Sequence, residues 1–361
     1  MRNKKLLIVV AVFILLFIIG RVLWSNTRIV PFLFQLVFTH EINLKGSNGH
    51  INILLLGLGS DQADEPNLTD TIIFASLDQS KNIVSLISIP RDLWVPDFKQ
   101  KVNAAYPIGG LKLAKEETQK ISGQRIDYAV RVNFDGFVKA INLLGGLDIN
   151  VDRTFDDNQY PLAGKENDLC GHTQAEADNL VASSSAEADL PSIFPCRYLP
   201  VHFDKGLTHM DGKTALIYVR TRHANGIEGT DFARSQRQEK IIKAFKDKLL
   251  SSSTILNPTK VIGLYNLVKD SVDTDIKQDE FDDFVRLAQK MRGAKIQSSV
   301  IDYGDPQNGV PGLLMNPPIQ SQYGYAWVLL PRFGDGNFEE IHKYFICKLA
   351  YRTCPITKTP L

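Results

Sequence analysis

The sequence predicts an α/β fold, an α/β/α sandwich with a central mixed sheet, preceded by one N-terminal transmembrane helix. Three observations lead there. From Ile51 to Leu250, segments of strand period alternate with segments of helical period, which argues for a sheet covered on both faces. The first strand connections look hairpin-like, so the sheet is mixed. Finally, a long apolar run precedes everything that reads as folded domain.

That run is Leu6 to Trp24, close to the roughly 20 residues a bilayer-spanning helix needs, with Arg21 able to snorkel and Trp24 placed at the interface. Lys4 and Lys5 before it favour a cytoplasmic N-terminus and put the rest outside the cell membrane, a single-pass arrangement. The competing reading is a cleaved signal peptide. It lacks a small-residue cleavage site, because Arg21-Val22-Leu23-Trp24 is bulky. Residues 1–24 are thus cytoplasmic tip and anchor, and 25–50 a juxtamembrane connector whose apolar stretch Val30 to Phe38 reads as a packing helix.

The main domain is expected over 51–250. Ile51–Leu56, Ile72–Leu77 and Ile83–Ile89 read as strands joined by a polar loop and then by the turn Asp78-Gln79-Ser80-Lys81. Pro90 ends the third strand and exposes Arg91. Ala114–Ile121 is a short helix, Tyr128–Val132 a strand, and Phe134–Leu144 a helix closed by Gly145-Gly146, which supply a left-handed stop. Tyr128 and Phe134 read as core. Leu147–Val151 returns as a strand. Asn158–Pro200 breaks the rhythm, with a Ser-rich centre and a cysteine near each end, and reads as an insertion of the size that is usually functional or disordered. Ala215–Val219 has the look of a strand. After the break Ser251-Ser252-Ser253, helical stretches at 259–271 and 280–291 and a Gly- and Pro-rich tail make residues 251–361 a C-terminal extension completing the same domain.

Composition excludes several functions. A net charge of +1 with no basic run outside the N-terminus is wrong for a nucleic-acid footprint. Gly57-Leu58-Gly59 has neither a third glycine nor a following Lys-Ser/Thr, so no nucleotide site is expected. No Gly-x-Ser-x-Gly elbow is present. Four cysteines allow three pairings; sequence order suggests Cys170 with Cys196 and Cys347 with Cys354, the alternative being unpaired thiols. Cys170, His172, Cys196 and His202 match no metal-binding spacing.

What remains conspicuous is arginine. Arg220 and Arg222 follow the expected strand and, two apart, point to one face. From Asp231 the period turns helical: Ile241, Ile242, Phe245 and Leu249 mark a core-facing stripe, and Asp231, Arg234 and Gln238 lie on it one and two turns earlier, with Lys240, Lys243 and Lys248 off it. Arg91 and Arg237 bring the arginines to five, against Asp70, Asp92 and Asp231. Charges taken out of water need partners or a ligand. A planar, always protonated fork suits phosphate, so a surplus of arginine suggests a polyanion, most simply a pyrophosphate with a carboxylate-held divalent cation. The alternative is that the three aspartates merely neutralise the arginines.

The order Asn52-Ile53-Leu54-Leu55-Leu56-Gly57, Thr69-Asp70-Thr71, Ser88-Ile89-Pro90-Arg91-Asp92, Lys101-Val102-Asn103-Ala104-Ala105-Tyr106 with Gly109-Gly110, Leu144-Gly145-Gly146, Arg220-x-Arg222 and Asp231-x-x-Arg234-x-x-Arg237-Gln238 resembles the LytR-CpsA-Psr family over about residues 50 to 250. The resemblance implies a membrane-anchored phosphotransferase that moves a glycopolymer from a polyprenyl-pyrophosphate carrier to a peptidoglycan sugar hydroxyl. It implies that Arg91, Arg220, Arg222 and Arg234 hold the pyrophosphate, that Gln238 assists and that Asp70 contributes to a magnesium site. Lys101 is a further candidate contact to the carrier, and Asp231 the favoured proton acceptor, with Asp92 the alternative. Many members carry an aspartate two residues after the glycine ending the first strand. Here Gly59 stands there, and Asp61, two residues on, is the candidate second ligand to Mg2+, with Asp64 and Glu65 in the same loop. Two other readings stay open: hydrolysis of the lipid pyrophosphate by water, and binding of the carrier without turnover.

Overall fold

The structure is a computed structural model, and it describes residues 42–46, 49–58, 68–162, 164–183, 190–255, 257–305 and 309–356. The expected anchor Leu6–Trp24, the stretch Val30–Phe38 and the loop with Asp61, Asp64 and Glu65 lie outside the described residues. No helix among the described residues is long and apolar enough to cross a membrane. Two compact units divide the chain, Lys45–Ile276 with Met291–Leu361 and Met1–Leu44 with Lys277–Lys290. The smaller contains the helix Phe281–Lys290, in which Arg286 is held to Asp282 and Asp283 at 2.5 and 2.8 Å.

The larger unit is a mixed α/β fold. Its strands of three or more residues are β1 (His50–Leu58), β2 (Thr69–Asp78), β3 (Ile83–Ser88), β4 (Tyr128–Val132), β5 (Leu147–Val151), β6 (Phe155–Pro161), β7 (Tyr198–Phe203), β8 (Gly206–Met210), β9 (Val272–Thr274) and β10 (Lys295–Val300). Six of them form the central sheet in the order β9-β4-β1-β2-β3-β10. The pairs β1–β2 and β2–β3 are antiparallel hairpin neighbours, while β1–β4 and β3–β10 are parallel, so the sheet is mixed. The helices used below are α1 (Ala105–Ser122), α2 (Phe134–Leu144), α3 (Gln174–Ser183), α4 (Gly212–Arg220), α5 (Asp231–Leu249), α6 (Pro258–Ser271) and α7 (Glu339–Leu349).

Two cores result. Leu54, Leu56, Phe74 and Ile87 of the sheet pack on Ala114 and Ile121 of α1 and on Ile341 and Phe345 of α7. There the Phe74 and Phe345 rings meet edge to face at 5.2 Å, a favoured aromatic geometry. The second core joins Ile141 of α2, Ile149 of β5, Phe155 of β6, Tyr218 of α4 and Ile241 of α5. At the end of α2, Gly145 and Gly146 take φ +85° and +80°, and their amides close on Asn142 and Ile141 carbonyls, the left-handed stop that ends a helix without a Cβ penalty.

Ala215–Val219 is helix, not strand. Asp211 caps α4 by accepting from the Thr214 amide at 2.8 Å, and the fully buried positions are Ala215 and Tyr218, three apart. A short apolar run fits either period; the strand here is the preceding one, β8, paired with β5. The insertion is an excursion between β6 and β7, which pair antiparallel, with α3 within it and Cys170–Cys196 closing it. Cys347 and Cys354 form the second disulfide.

Candidate functional site

Topology brings the candidate residues to one end of the sheet. The chain leaves β1, β3 and β4 at that end and enters β2 there, because Leu58 is registered with Thr69, Gly57 with Val132 and Ile73 with Ser88. A crevice outside the carboxyl ends of strands is where open α/β sheets bind ligands. Counting three residues outward from the Ile73–Ser88 pair places Asp70 opposite Arg91. Arg91 Nη1 donates to Asp70 Oδ1, and Nε reaches Asp92 Oδ2 at 3.4 Å. Burial works against the Arg91 charge, but the Asp70 and Asp92 carboxylates outweigh it and raise its pKa. Asp92 also accepts from Lys101 Nζ at 2.7 Å. Lys101 is therefore tied to Asp92 and does not line the cleft.

The cleft has a volume of about 250 Å³ and brings together Asp70, Arg91, Arg220, Arg222, Arg234 and Gln238. Arg234 and Gln238 come from the first turns of α5, one turn apart on one face, as the helical spacing predicts. Arg220 ends α4, and Arg222 follows just past its cap Thr221, so the two reach the cleft by a helix end rather than by strand alternation. Asp231 opens α5 behind the cap Thr230; its side chain, like the whole of Asp61, lies outside what is described.

Thr71, Phe134, Asp157, Tyr160, Pro161, Val219 and His223 complete the lining, and sequence reasoning missed most of them. Phe134, expected in the core, instead lies with its ring 4.3 Å from the Arg220 guanidinium, because it is the first residue of α2 and sits at the mouth left by β4. Tyr160 flanks the same guanidinium at 5.6 Å, and Arg220 Nη1 donates to its hydroxyl at 3.4 Å. Among the described residues Arg220 forms no ion pair with a carboxylate. Asp157, buried, accepts from the amides of Arg222 and His223 at 3.2 Å each and of Gln159 at 2.8 Å. It thereby holds the backbone of the arginine segment in place. No linear pattern announced Asp157 or Tyr160.

Arg237 belongs to the same motif but not to the cleft. It is 2% exposed and donates to the carbonyls of Tyr218, Thr221 and Glu228 at 3.0, 2.7 and 2.9 Å and to Glu228 Oε2 at 3.0 Å. The Tyr218 and Thr221 carbonyls belong to the last turn of α4 and the residue after it, where no intrahelical donor remains. Arg237 therefore clamps the segment on which Arg220 and Arg222 ride. Burial lowers its pKa, with Glu228 opposing.

For a cation, Asp70 is the carboxylate of the described lining that is not committed to backbone amides, and its side chain is 32% exposed. Magnesium keeps several waters and needs only one or two protein carboxylates beside phosphate oxygens, so Asp70 fits it. The one grouping of three metal-type ligands among the described residues is Asp168 with Cys170 and Cys196, whose sulfurs are consumed by the disulfide.

A model of the LytR_cpsA_psr family matches residues 35–316. TagV of Bacillus subtilis (strain 168), named a polyisoprenyl-teichoic acid–peptidoglycan teichoic acid transferase, is 28% identical over 234 residues, 63% of this chain and 50% of that protein. The chain thus spans half the length of that relative. The crystal structure of B. subtilis TagV aligns with a TM-score of 0.54 at 24% identity over 86% of this chain and 100% of that one. TagT, solved bound to LIIa-WTA, aligns with a TM-score of 0.52 at 19% identity over 85% of this chain and 95% of that one. These likenesses establish the fold.

Proposed function

The chain belongs to the LytR_cpsA_psr family, and from that membership we propose that it moves a glycopolymer from a polyprenyl-pyrophosphate carrier to a peptidoglycan sugar hydroxyl. The observation that carries the proposal is Arg220: a guanidinium 4.3 Å from the Phe134 ring and 5.6 Å from the Tyr160 ring in a cleft shared with three other arginines, with no carboxylate paired to it among the described residues. An anion supplied by a ligand completes such a site.

Phosphoryl transfer asks a protein for positioning and charge neutralisation. The acceptor hydroxyl attacks the polymer-proximal phosphorus, the bond from that phosphorus to the bridging oxygen breaks, and polyprenyl phosphate leaves with the oxygen. Arg91, Arg220, Arg222 and Arg234 hold the non-bridging oxygens, and Gln238 supports Arg234 from the next turn. The hydroxyl proton passes to Asp231 in this scheme, because Asp92 is engaged by both Arg91 and Lys101 and lies off the cleft. Asp70 would hold a magnesium ion, which would supply further neutralisation of the phosphate charge. Leu6–Trp24 anchors the enzyme in the cell membrane with its N-terminus in the cytoplasm, beside the lipid carrier, and confinement there raises the effective concentration of the two partners.

The test uses full-length protein in vesicles with polyprenyl-pyrophosphate-linked glycopolymer and peptidoglycan. Polymer covalently joined to peptidoglycan, with polyprenyl monophosphate released, is the expected result. Arg220→Lys should weaken it, since a point charge cannot reproduce the planar fork. Consumption of the carrier with all polymer released to water would instead make the chain a hydrolase, and no consumption would leave it a binder.

A further inference from the structure

We infer that Tyr160 is a substrate-contacting residue whose phenolic hydroxyl donates a hydrogen bond to the anionic phosphoester in the arginine cleft. Tyr160 lines that cleft and is only 6% exposed. Its oxygen accepts from Arg220 Nη1 at 3.4 Å, and among the described residues its own proton meets no acceptor. A hydroxyl on so buried a side chain, left without an acceptor, carries a desolvation cost that a ligand oxygen would relieve.

The backbone is built to place it there. On β6 the register to β7 slips between Asp157 and Tyr160, Asp157 facing Val201 and Tyr160 facing Leu199. Three steps on one strand thus match two on the other, which is a bulge with one extra residue. In a regular strand, residues three apart point to opposite faces. The extra residue turns Asp157 and Tyr160 to the same side, and both line the cleft. Asp157 secures the bulge by accepting from the Gln159 amide, and with its other oxygen it holds Arg222 and His223. Burial raises the Tyr160 pKa more than Arg220 lowers it, so the hydroxyl stays a donor at neutral pH.

This inference rests on the proposed anion site and assigns a donor within it. Full-length wild type, Tyr160→Phe and Tyr160→Leu are titrated with inorganic pyrophosphate in the presence of magnesium, with thermal unfolding and polymer transfer measured alongside. Tyr160→Phe keeps the ring against Arg220, so melting should be unchanged while affinity falls on the order of 10-fold, the size of a hydrogen bond to a charged group. Tyr160→Leu should lose both affinity and stability. Equal affinity of wild type and Tyr160→Phe overturns the inference and leaves the proposed transfer standing. Weaker binding by Tyr160→Phe in a protein that transfers no polymer upholds Tyr160 and sinks the transfer reading. No pyrophosphate binding by wild type overturns the inference, and, with no polymer transfer beside it, the proposed function as well.

Discussion

Replacing Arg237 by Met keeps most of the volume and removes every donor. The structure sets the size of the effect. The buried carbonyls of Tyr218 and Thr221, the part-buried carbonyl of Glu228 and the Glu228 carboxylate lose their partner at once. Removing one member of a buried ion pair costs about 3–5 kcal/mol. Glu228 is not wholly orphaned, because Arg153 Nη1 lies 3.2 Å from its other oxygen, so the lower end, about 3 kcal/mol, is expected. At about 2–4 °C per kcal/mol for a domain of this class, the melting temperature should fall by roughly 6–12 °C. Arg234→Met, three residues earlier in the same motif, faces the cleft and should change melting by no more than about 2 °C while losing pyrophosphate affinity. The assay is thermal unfolding by near-UV circular dichroism beside a pyrophosphate titration for both variants. If Arg237→Met melts within about 2 °C of wild type, or if Arg234→Met is the one that melts early, the division between a clamping arginine and a ligand arginine is wrong.

Asp70→Asn removes the charge a hard cation requires, so magnesium-dependent transfer should collapse while carrier binding partly survives; activity indifferent to both this change and chelation rules out metal assistance. Asp78 is pushed up by burial but pulled down further by the Ser80 hydroxyl, the Lys81 and Ser80 amides and Tyr351, to a pKa of about 2. A depressed carboxylate stabilises above its unfolded value and loses that contribution as pH falls from about 4 towards 2. Asp78→Asn should therefore flatten the acid limb of a stability profile over that window, worth on the order of 1–2 kcal/mol, and an unchanged limb would count against the network. Opening the Cys170–Cys196 link by a double Ser replacement frees a loop of 26 residues' separation and should cost about 3.5 kcal/mol on the chain-entropy model, read as a lower denaturant midpoint. Protease added to intact spheroplasts should reach residues beyond Ser25, and the protein should stay in the membrane pellet after an alkaline wash; protection of the folded domain would refute the proposed orientation.

Much of the framework is local and was legible for that reason. The strands around Leu54, Phe74 and Ile87 announce themselves by β-rich apolar runs between turn residues, and α2 by a helical period with its double-glycine stop. Arg234 and Gln238 share a face because four residues make one turn of any α-helix. Arg91 was legible because Pro90 must end a strand. These are properties of neighbouring residues, and they survive any tertiary arrangement.

Other features depend on what each segment packs against. Ala215–Val219 satisfies both periods, and only the cap at Asp211, with Tyr218 buried against Phe155 and Phe203, selects the helix. Arg234 and Arg237 are equivalent in sequence, but one stands at the cleft and the other at the open end of α4, a difference set by where α4 crosses α5. Phe134 is apolar and was read as core, yet its place at the end of β4 makes it a platform for Arg220. Asp157 and Tyr160 share a face only because β6 carries one residue more than its partner. The sequence alone determined which residue types and local periods were available; tertiary pairing decided which side chains meet, because one extra residue in a ladder, or one helix crossing, redirects a side chain with no trace in the linear pattern.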